Sequence, residues 1–219
     1  MPNQDQNSND SGARKKAGGG VAAVILAAGE SRRSGDANKL LFEAGGAPLV
    51  RRAAGAALAS RAAEVITVTG YEADLIISVL AGLDLRVVHN PDYHDGLSTS
   101  LKAGISAVPE GRTGALVLLA DMPRISADII DLLIGRFEDG GETDICAPVF
   151  ERRRGHPVLW PRRFFPQLLG VSGDTGGRDL LKMNADEISA VEVDTADIHF
   201  DIDGPGDLPG DPPEDLPDE

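Results

Sequence analysis

Val21-Ala-Ala-Val-Ile-Leu-Ala-Ala-Gly-Glu-Ser-Arg-Arg-Ser-Gly-Asp-Ala-Asn-Lys39 is the stretch on which the reading of this chain turns. Every residue from Val21 to Ala28 is apolar, the pattern of a strand covered on both faces, as in the middle of a parallel sheet. Gly29 then permits a turn with positive φ and leaves room where a Cβ would hold a ligand away. Arg33 and Lys39 follow as candidate partners for a polyphosphate. A buried strand that empties into small residues and then into cations predicts a phosphate-holding loop. A plain strand-to-helix turn with solvated cations is the alternative.

Around this stretch, 219 residues and 22.9 kDa suffice for one substantial core but not for two ordinary domains plus tails. The 35 acidic side chains outnumber the 21 basic ones, for a net charge of -14. That balance disfavours nucleic acid and anionic membrane as partners, while a local basic loop can still hold a small anion. A single cysteine, Cys146, excludes an internal disulfide framework. The four histidines show no zinc spacing, and His89 and His94 are separated by Pro91. There is no apolar run of about 18 residues or more, and Met1 to Gly20 lacks a signal-like apolar segment. The expectation is a cytoplasmic protein.

Residues 1–20 are polar and Gly-rich, and the end from Leu208 is acidic and Pro-rich. Neither can bury enough apolar surface to offset ordering, so a single domain is expected at 21–207 between disordered segments at 1–20 and 208–219. Within it, apolar runs alternate with helical patterns, which implies βα units and a mainly parallel sheet. Strands are expected at 21–28, 64–70, 85–90 and 115–120, with helices at 48–60 and 72–80. A helix after Gly96 is expected to be capped by Ser98 or Thr99, and another, capped by Ser126, to run to about Phe137 with Ile129, Ile130, Leu133 and Ile134 buried. Farther on, strands are expected at 143–150 and 156–160 around a basic turn at 151–155. A short helix at 162–169 is expected to be broken by Pro166, and a turn at 173–178 to feed a helix at 179–184. Short strands are expected at 188–193 and 199–202.

The opening loop is not a Walker P-loop: Gly29 is followed five residues on by Ser34, and Gly35 by Asp36. No G-x-G-x-x-G follows the strand, so the dinucleotide fingerprint is missing too. Leu26, Ala27, Ala28 and Gly29 instead offer an open approach lined by backbone N–H groups, with Arg33 and Lys39 as cations. Asp121 stands where the most apolar strand ends, the edge at which open α/β sheets bind ligands. A carboxylate there can hold a hard, oxygen-loving cation, or simply cap the turn before Met122-Pro123.

The motifs come in a telling order: LAAGESRRSG (26–35) with NKLL (38–41), Asn90-Pro91 with GLSTSL (96–101), LADMP (119–123), GHPVL (155–159), GDTGGRDLL (173–181) and DIDGPGDL (201–208). As a set they resemble the MobA-like nucleotidyltransferases, and within them the molybdenum cofactor cytidylyltransferases, over roughly Val21 to Leu208. The resemblance implies an α/β, Rossmann-like three-layer sandwich of the GT-A-like nucleotidyltransferase kind. It implies transfer of CMP from CTP to the phosphate of a molybdopterin-type molybdenum cofactor, with Mg²⁺ and release of pyrophosphate. Other readings are a guanylyltransferase or a transferase for another phosphorylated acceptor. A protein that carries the cofactor to a molybdenum hydroxylase and an NAD(P)H-dependent oxidoreductase on the same fold complete the alternatives.

Carried over residue by residue, the resemblance assigns Leu26, Ala27, Ala28, Gly29, Arg33 and Lys39 to the nucleotide, with Lys39, Arg33 and Asp121 catalytic. Gly96, Ser98 and Ser100 fall near the base and ribose, in a form closer to the cytidylyl than the guanylyl members. Asp121 and Asp203 become the metal ligands. Here the sequence departs from the family: Gly204 stands where Thr is usual, Gly206 where an acid is usual, and Ser34 where Met is usual. Asp201 is the alternate to Asp203, on the expectation that one of the two faces the cleft and the other away. His156, Asp174 and Arg178 fall to the acceptor side, with Arg152, Arg153 and Arg154 as further phosphate partners or solvated cations. A molybdenum hydroxylase apoenzyme is the implied protein partner. Cys146 reads as a small buried hydrophobe.

Overall fold

The computed structural model describes residues 19–30 and 38–208. Among them the order is β1 (Val21–Ala27), β2 (Glu43–Ala44), β3 (Ala47–Pro48), α1 (Leu49–Ala59), β4 (Glu64–Thr69), α2 (Ala73–Leu80), β5 (Arg86–His89), α3 (Leu97–Ala107), β6 (Gly114–Leu119), α4 (Ala127–Asp139), β7 (Ile145–Phe150), β8 (Arg153–Arg154), β9 (Val158–Pro161), α5 (Phe165–Gly170), α6 (Arg178–Met183) and β10 (Ile188–Glu192). The main sheet runs β10-β7-β9-β6-β1-β4-β5, with β8 on the edge of β7. β1 pairs in parallel with β4 on one side and β6 on the other, Val24 facing Ile66 and Val117. All seven residues of β1 are buried, which explains its unbroken apolar run.

Because strand side chains alternate, β1 feeds two cores. Ala23, Ile25 and Ala27 pack with Val50 and Ala53 of α1, Ile76 of α2 and Ile130 of α4. Ala22, Val24 and Leu26 pack with Leu101 and Ile105 of α3 and with Phe165 and Leu168 of α5. The result is the expected three-layer α/β sandwich. At the α3–β1 contact the packing leaves no room for a side chain: a Cβ on Gly104 would stand 2.4 Å from Val24 Cγ1.

Several local expectations are met and others are revised. Ser126 caps α4 by accepting from Ile129 N–H at 3.3 Å, and the expected stripe of α4 is buried. α3, however, begins at Leu97, with Gly96 (φ 104°) as its cap residue and no cap from Ser98 or Thr99. Thr99 Oγ1 instead donates toward the carbonyls of Asp92 and Gly96. Pro166 opens α5 rather than breaking a helix, since its fixed φ suits a first turn and no N–H is needed there. The hairpin of β2 and β3 was not anticipated; Gly45 and Gly46, both at positive φ, make its turn. The basic turn narrows to Glu151 and Arg152, also at positive φ, which sets exposed Arg153 and Arg154 on β8.

No strand forms at 199–202. His199 ends a single 3-10 turn from Ala196, and Ile202 leaves the sheet to pack with Ala44 and Leu49 in a small core of its own. Leu208 packs beside it. Gly19 and Gly20, expected within the disordered leader, are hydrogen-bonded to Gly111 and Thr113. The remaining terminal residues of the expected disordered segments, 1–18 and 209–219, lie outside the described residues.

Candidate active site

β1, β4, β5 and β6 are parallel and end on one edge of the sheet. β9 runs the other way, pairing Val158 with Val117 near the end of β6, so it enters the sheet where its neighbour leaves. Antiparallel pairing thereby delivers His156, just before β9, to the edge that carries Asp121, just after β6. Two chain segments far apart in sequence meet there for a topological reason.

Lys39 is the centre of the site. Asn38, buried, accepts from Leu40 N–H at 3.1 Å and fixes the turn that carries the lysine. Lys39 Nζ donates to Asp121 Oδ2 at 2.7 Å and lies 3.6 Å from Asp203 Oδ1. The two acidic segments are stitched together by Ile202 N–H, which donates to the Asp121 carbonyl at 3.0 Å. Asp207 steadies the second, its Oδ2 accepting from the N–H groups of Asp203 and Gly204, each at 3.0 Å. The Gly at 204 thus stands in a turn held by a later carboxylate. In a strand, residues two apart share a face, so alternation would not have separated Asp201 from Asp203. The contact with Lys39 distinguishes Asp203, while the charge of Asp201 is felt at His156.

Several buried polar side-chain atoms lack a partner among the described residues, and three of them belong to the segments that carry Lys39, Asp121 and His156. Asp121 Oδ1, Asn38 Nδ2 and His156 Nδ1 are all buried and unpaired. Buried polar groups ordinarily find partners, so the bare Asp121 Oδ1, on a residue that lines the cavity, is an acceptor available to a ligand. Burial holds the His156 imidazole below its ordinary pKa; Asp121 and Asp201 oppose that shift and Arg178 adds to it. The backbone N–H of His156 donates to the Ile198 carbonyl at 3.0 Å, which ties the GHP segment to the 3-10 turn that precedes Asp203.

Beside the lysine opens a cavity of about 360 Å³. Leu26, Ala28 and Gly29 form one wall and Gly96, Leu97 and Ser100 another, with Lys39 and Asp121 at one end. Among the described residues nothing lies within 4 Å of where a Cβ on Gly29 would be, consistent with an open approach. Asn90, buried, orients the α3 wall: its Nδ2 donates to Thr99 Oγ1 at 2.9 Å and Ser100 Oγ at 3.0 Å. Tyr93 and His94 close the outer side, their ring centroids 3.9 Å apart, and His94 Nδ1 pairs with Glu30.

The structure therefore brings together Leu26, Ala28, Gly29, Lys39, Gly96, Ser100, Asp121 and Asp174 on one cavity wall or another, with Asp203 on the lysine. Ala27 points into the opposite core, leaving only its backbone for a ligand. Ser98 is buried and does not line the cavity, because residues two apart on a helix face different ways. His156 and Arg178 do not line the cavity; His156 feels the charges of both Asp121 and Arg178. Arg33 and Ser34 lie outside the described residues. Asn38, Asp207 and the Glu30–His94 pair escaped the sequence reading; only the Asp203-to-Asp207 spacing of an acid-capped turn hinted at any of them.

Among the described residues no helix is long and apolar enough to cross a membrane, and no three acidic, His or Cys side chains cluster as a ready metal site. Residues 23–190 match the family of MobA-like NTP transferase domains. The chain is 31% identical to the molybdenum cofactor cytidylyltransferase of Escherichia coli over 145 residues, 66% of this chain and 71% of that one. It is 30% identical to the nicotine blue oxidoreductase of Paenarthrobacter nicotinovorans over 186 residues, 78% of this chain and 90% of that one. Among solved structures, Rv0371c of Mycobacterium tuberculosis superposes with a TM-score of 0.75 at 24% identity, covering 87% of this chain and 96% of that one. A nucleotidyl transferase from Methanothermobacter thermautotroptrophicus superposes with a TM-score of 0.73 at 21% identity, covering 86% and 94%. The chain belongs to the MobA-like NTP transferase family and is a nucleotidyltransferase.

Proposed function

We propose that the chain transfers CMP from CTP to the phosphate of a molybdopterin-type molybdenum cofactor, releasing pyrophosphate. The observation that carries this reading is Lys39 held between Asp121 and Asp203 beside a cavity that Ala28, Gly29 and Gly96 help to line. An acceptor phosphate oxygen attacks the α-phosphorus, a new P–O bond forms, and the bond to the β-phosphate oxygen breaks as pyrophosphate leaves. No protein nucleophile is required; the work is positioning and charge compensation. Lys39 steadies negative charge on the departing pyrophosphate, and Arg33 is its companion cation. Leu26, Ala28 and Gly29 let the nucleotide lie close to the backbone, with Ser100 at the base and ribose end. His156 and Arg178 belong to the acceptor side.

Asp121 and Asp203 would hold the divalent cation, Mg²⁺. The residues fit that group: Asp121 Oδ1 is buried without a partner among the described residues, and both carboxylates are hard oxygen donors within reach of one lysine. When bound, the cation neutralises charge on the phosphates. One superposed structure, of Rv0371c at 24% identity, is described as a manganese complex. The preference for CTP draws on the curated Escherichia coli cytidylyltransferase, and a molybdenum hydroxylase apoenzyme is the protein partner that such a product would serve. The catalytic domain spans 21–207, and its place is the cytoplasm.

The relative named nicotine blue oxidoreductase keeps a redox reading in play. The test is purified protein with Mg²⁺, molybdenum cofactor and each NTP, scored for pyrophosphate release and nucleotide incorporation. CTP-dependent incorporation is the expected result. Turnover with GTP alone would move the chain to guanylyl transfer, and NAD(P)H oxidation without nucleotide incorporation would replace the transferase reading.

A further inference from the structure

We propose that Asp174 is a positioning residue that ties the loop 173–177 to the first turn of α3, so that this loop sets the geometry of the nucleotide end of the cavity. The proposal rests on the reading of that cavity as a nucleotide site. α3 starts from Gly96, which has no side chain with which to cap its own helix. The missing acceptor comes from 77 residues away: Leu97 N–H donates to Asp174 Oδ1 at 3.3 Å. A carboxylate at that position satisfies an open N–H and suits the positive end of the helix dipole.

The seat around this bond is built for close approach. A Cβ on Gly96 would stand 2.4 Å from Asp174 Oδ1 and 3.0 Å from the Gly173 carbonyl. On the loop side, a Cβ on Gly176 would stand 3.0 Å from Leu97 Cδ2, and one on Gly177 would stand 2.8 Å from Trp160 Cζ2. The GDTGG motif is thus wedged between α3 and β9 by the absence of side chains. Local alternatives for the cap are used elsewhere, since Thr99 Oγ1 is engaged with the carbonyls of Asp92 and Gly96. Gly96, Leu97, Ser100 and Asp174 all line the cavity, so a shift of the loop is a shift of the wall. An acceptor that orders the loop would tighten nucleotide binding, and by linkage the nucleotide would tighten acceptor binding.

Hydrogen exchange on the full chain and CTP titration with Mg²⁺, both without acceptor, test this in Asp174→Ala and Asp174→Asn. Asp174 is exposed, so neither change opens a core cavity. In Asp174→Ala the Leu97 amide should exchange about five- to tenfold faster, with CTP affinity down by a similar factor, the scale of a lost helix cap. Asn keeps a side-chain carbonyl and should restore most of both. Unchanged exchange in Asp174→Ala overturns the tether. An Asn variant as defective in CTP binding as Ala, with α3 protection intact, also overturns it, because the carboxylate would then act on the ligand by charge. If wild-type protein fails to bind CTP, the nucleotide reading falls, while the exchange of Leu97 still decides the tether.

Discussion

Lys39 Nζ stands 2.7 Å from Asp121 Oδ2, and Asp121's other oxygen, Oδ1, is buried with no partner among the described residues. One carboxylate is thus half satisfied by the chain and half reserved. Asp121→Asn preserves size and one acceptor but removes the charge. Turnover should fall by about a hundredfold or more, the scale of losing a preorganised electrostatic group, with the far-ultraviolet spectrum unchanged. Lys39→Met should lose activity on the same scale and also leave Asp121 without its cation. Pyrophosphate release under saturating substrate checks both, and an active Asn variant removes Asp121 from the reaction.

Gly155 shows how a motif residue can be functional at one remove. A Cβ there would stand 2.3 Å from the Ile198 carbonyl oxygen and 2.8 Å from Ile198 Cβ. Backbone cannot yield as a flexible side-chain end can, so Gly155→Ala should cost about 1–3 kcal/mol, as overpacking does. The displaced segment leads to Asp203, so activity should fall further than stability alone accounts for. Urea unfolding and turnover on the same preparation separate the two effects.

The central strand, the helices and the cavity wall at Leu26, Ala28 and Gly29 were legible because each rests on local pattern. β1 is apolar throughout because β4, β6 and two helical layers cover it. Ser126 caps α4 from within its own sequence. What could not be read depends on partners distant in the chain. The α3 cap comes from Asp174, and Asp203 owes its place to Ile202, which abandons the sheet to join Ala44 and Leu49. Asp-rich sequence around Ile202 looks like a short strand by alternation, yet the segment forms no strand, and Ile202 N–H donates to the Asp121 carbonyl. The Glu30–His94 pair likewise joins two loops that only the fold brings into contact.

Cys146 bears out its reading as a buried hydrophobe. It is fully buried in β7, and its thiol is pushed up to about 11, chiefly by burial, with Asp144 adding to the shift and Arg136 opposing it. At pH 8 almost none of it is thiolate, the form that reacts. Native protein should therefore resist iodoacetamide at pH 8 and become labelled only on unfolding in urea. Rapid labelling of folded protein, followed by mass spectrometry, would contradict this placement.

His156 makes stability depend on pH with a definite sign. Burial lowers its pKa below the ordinary value of 6.5, so the folded state resists taking up the proton that the unfolded chain accepts. The contribution is fully present above that ordinary value and is lost as pH falls from there toward the folded pKa, by up to about 1.4 kcal/mol per pH unit. Unfolding free energy in urea should consequently decline from pH 7 toward pH 5. His156→Gln, which cannot titrate, should flatten the slope in that window while leaving an amide beside Asp121. An unaltered slope in the Gln variant would show that His156 is not the group that charges on unfolding.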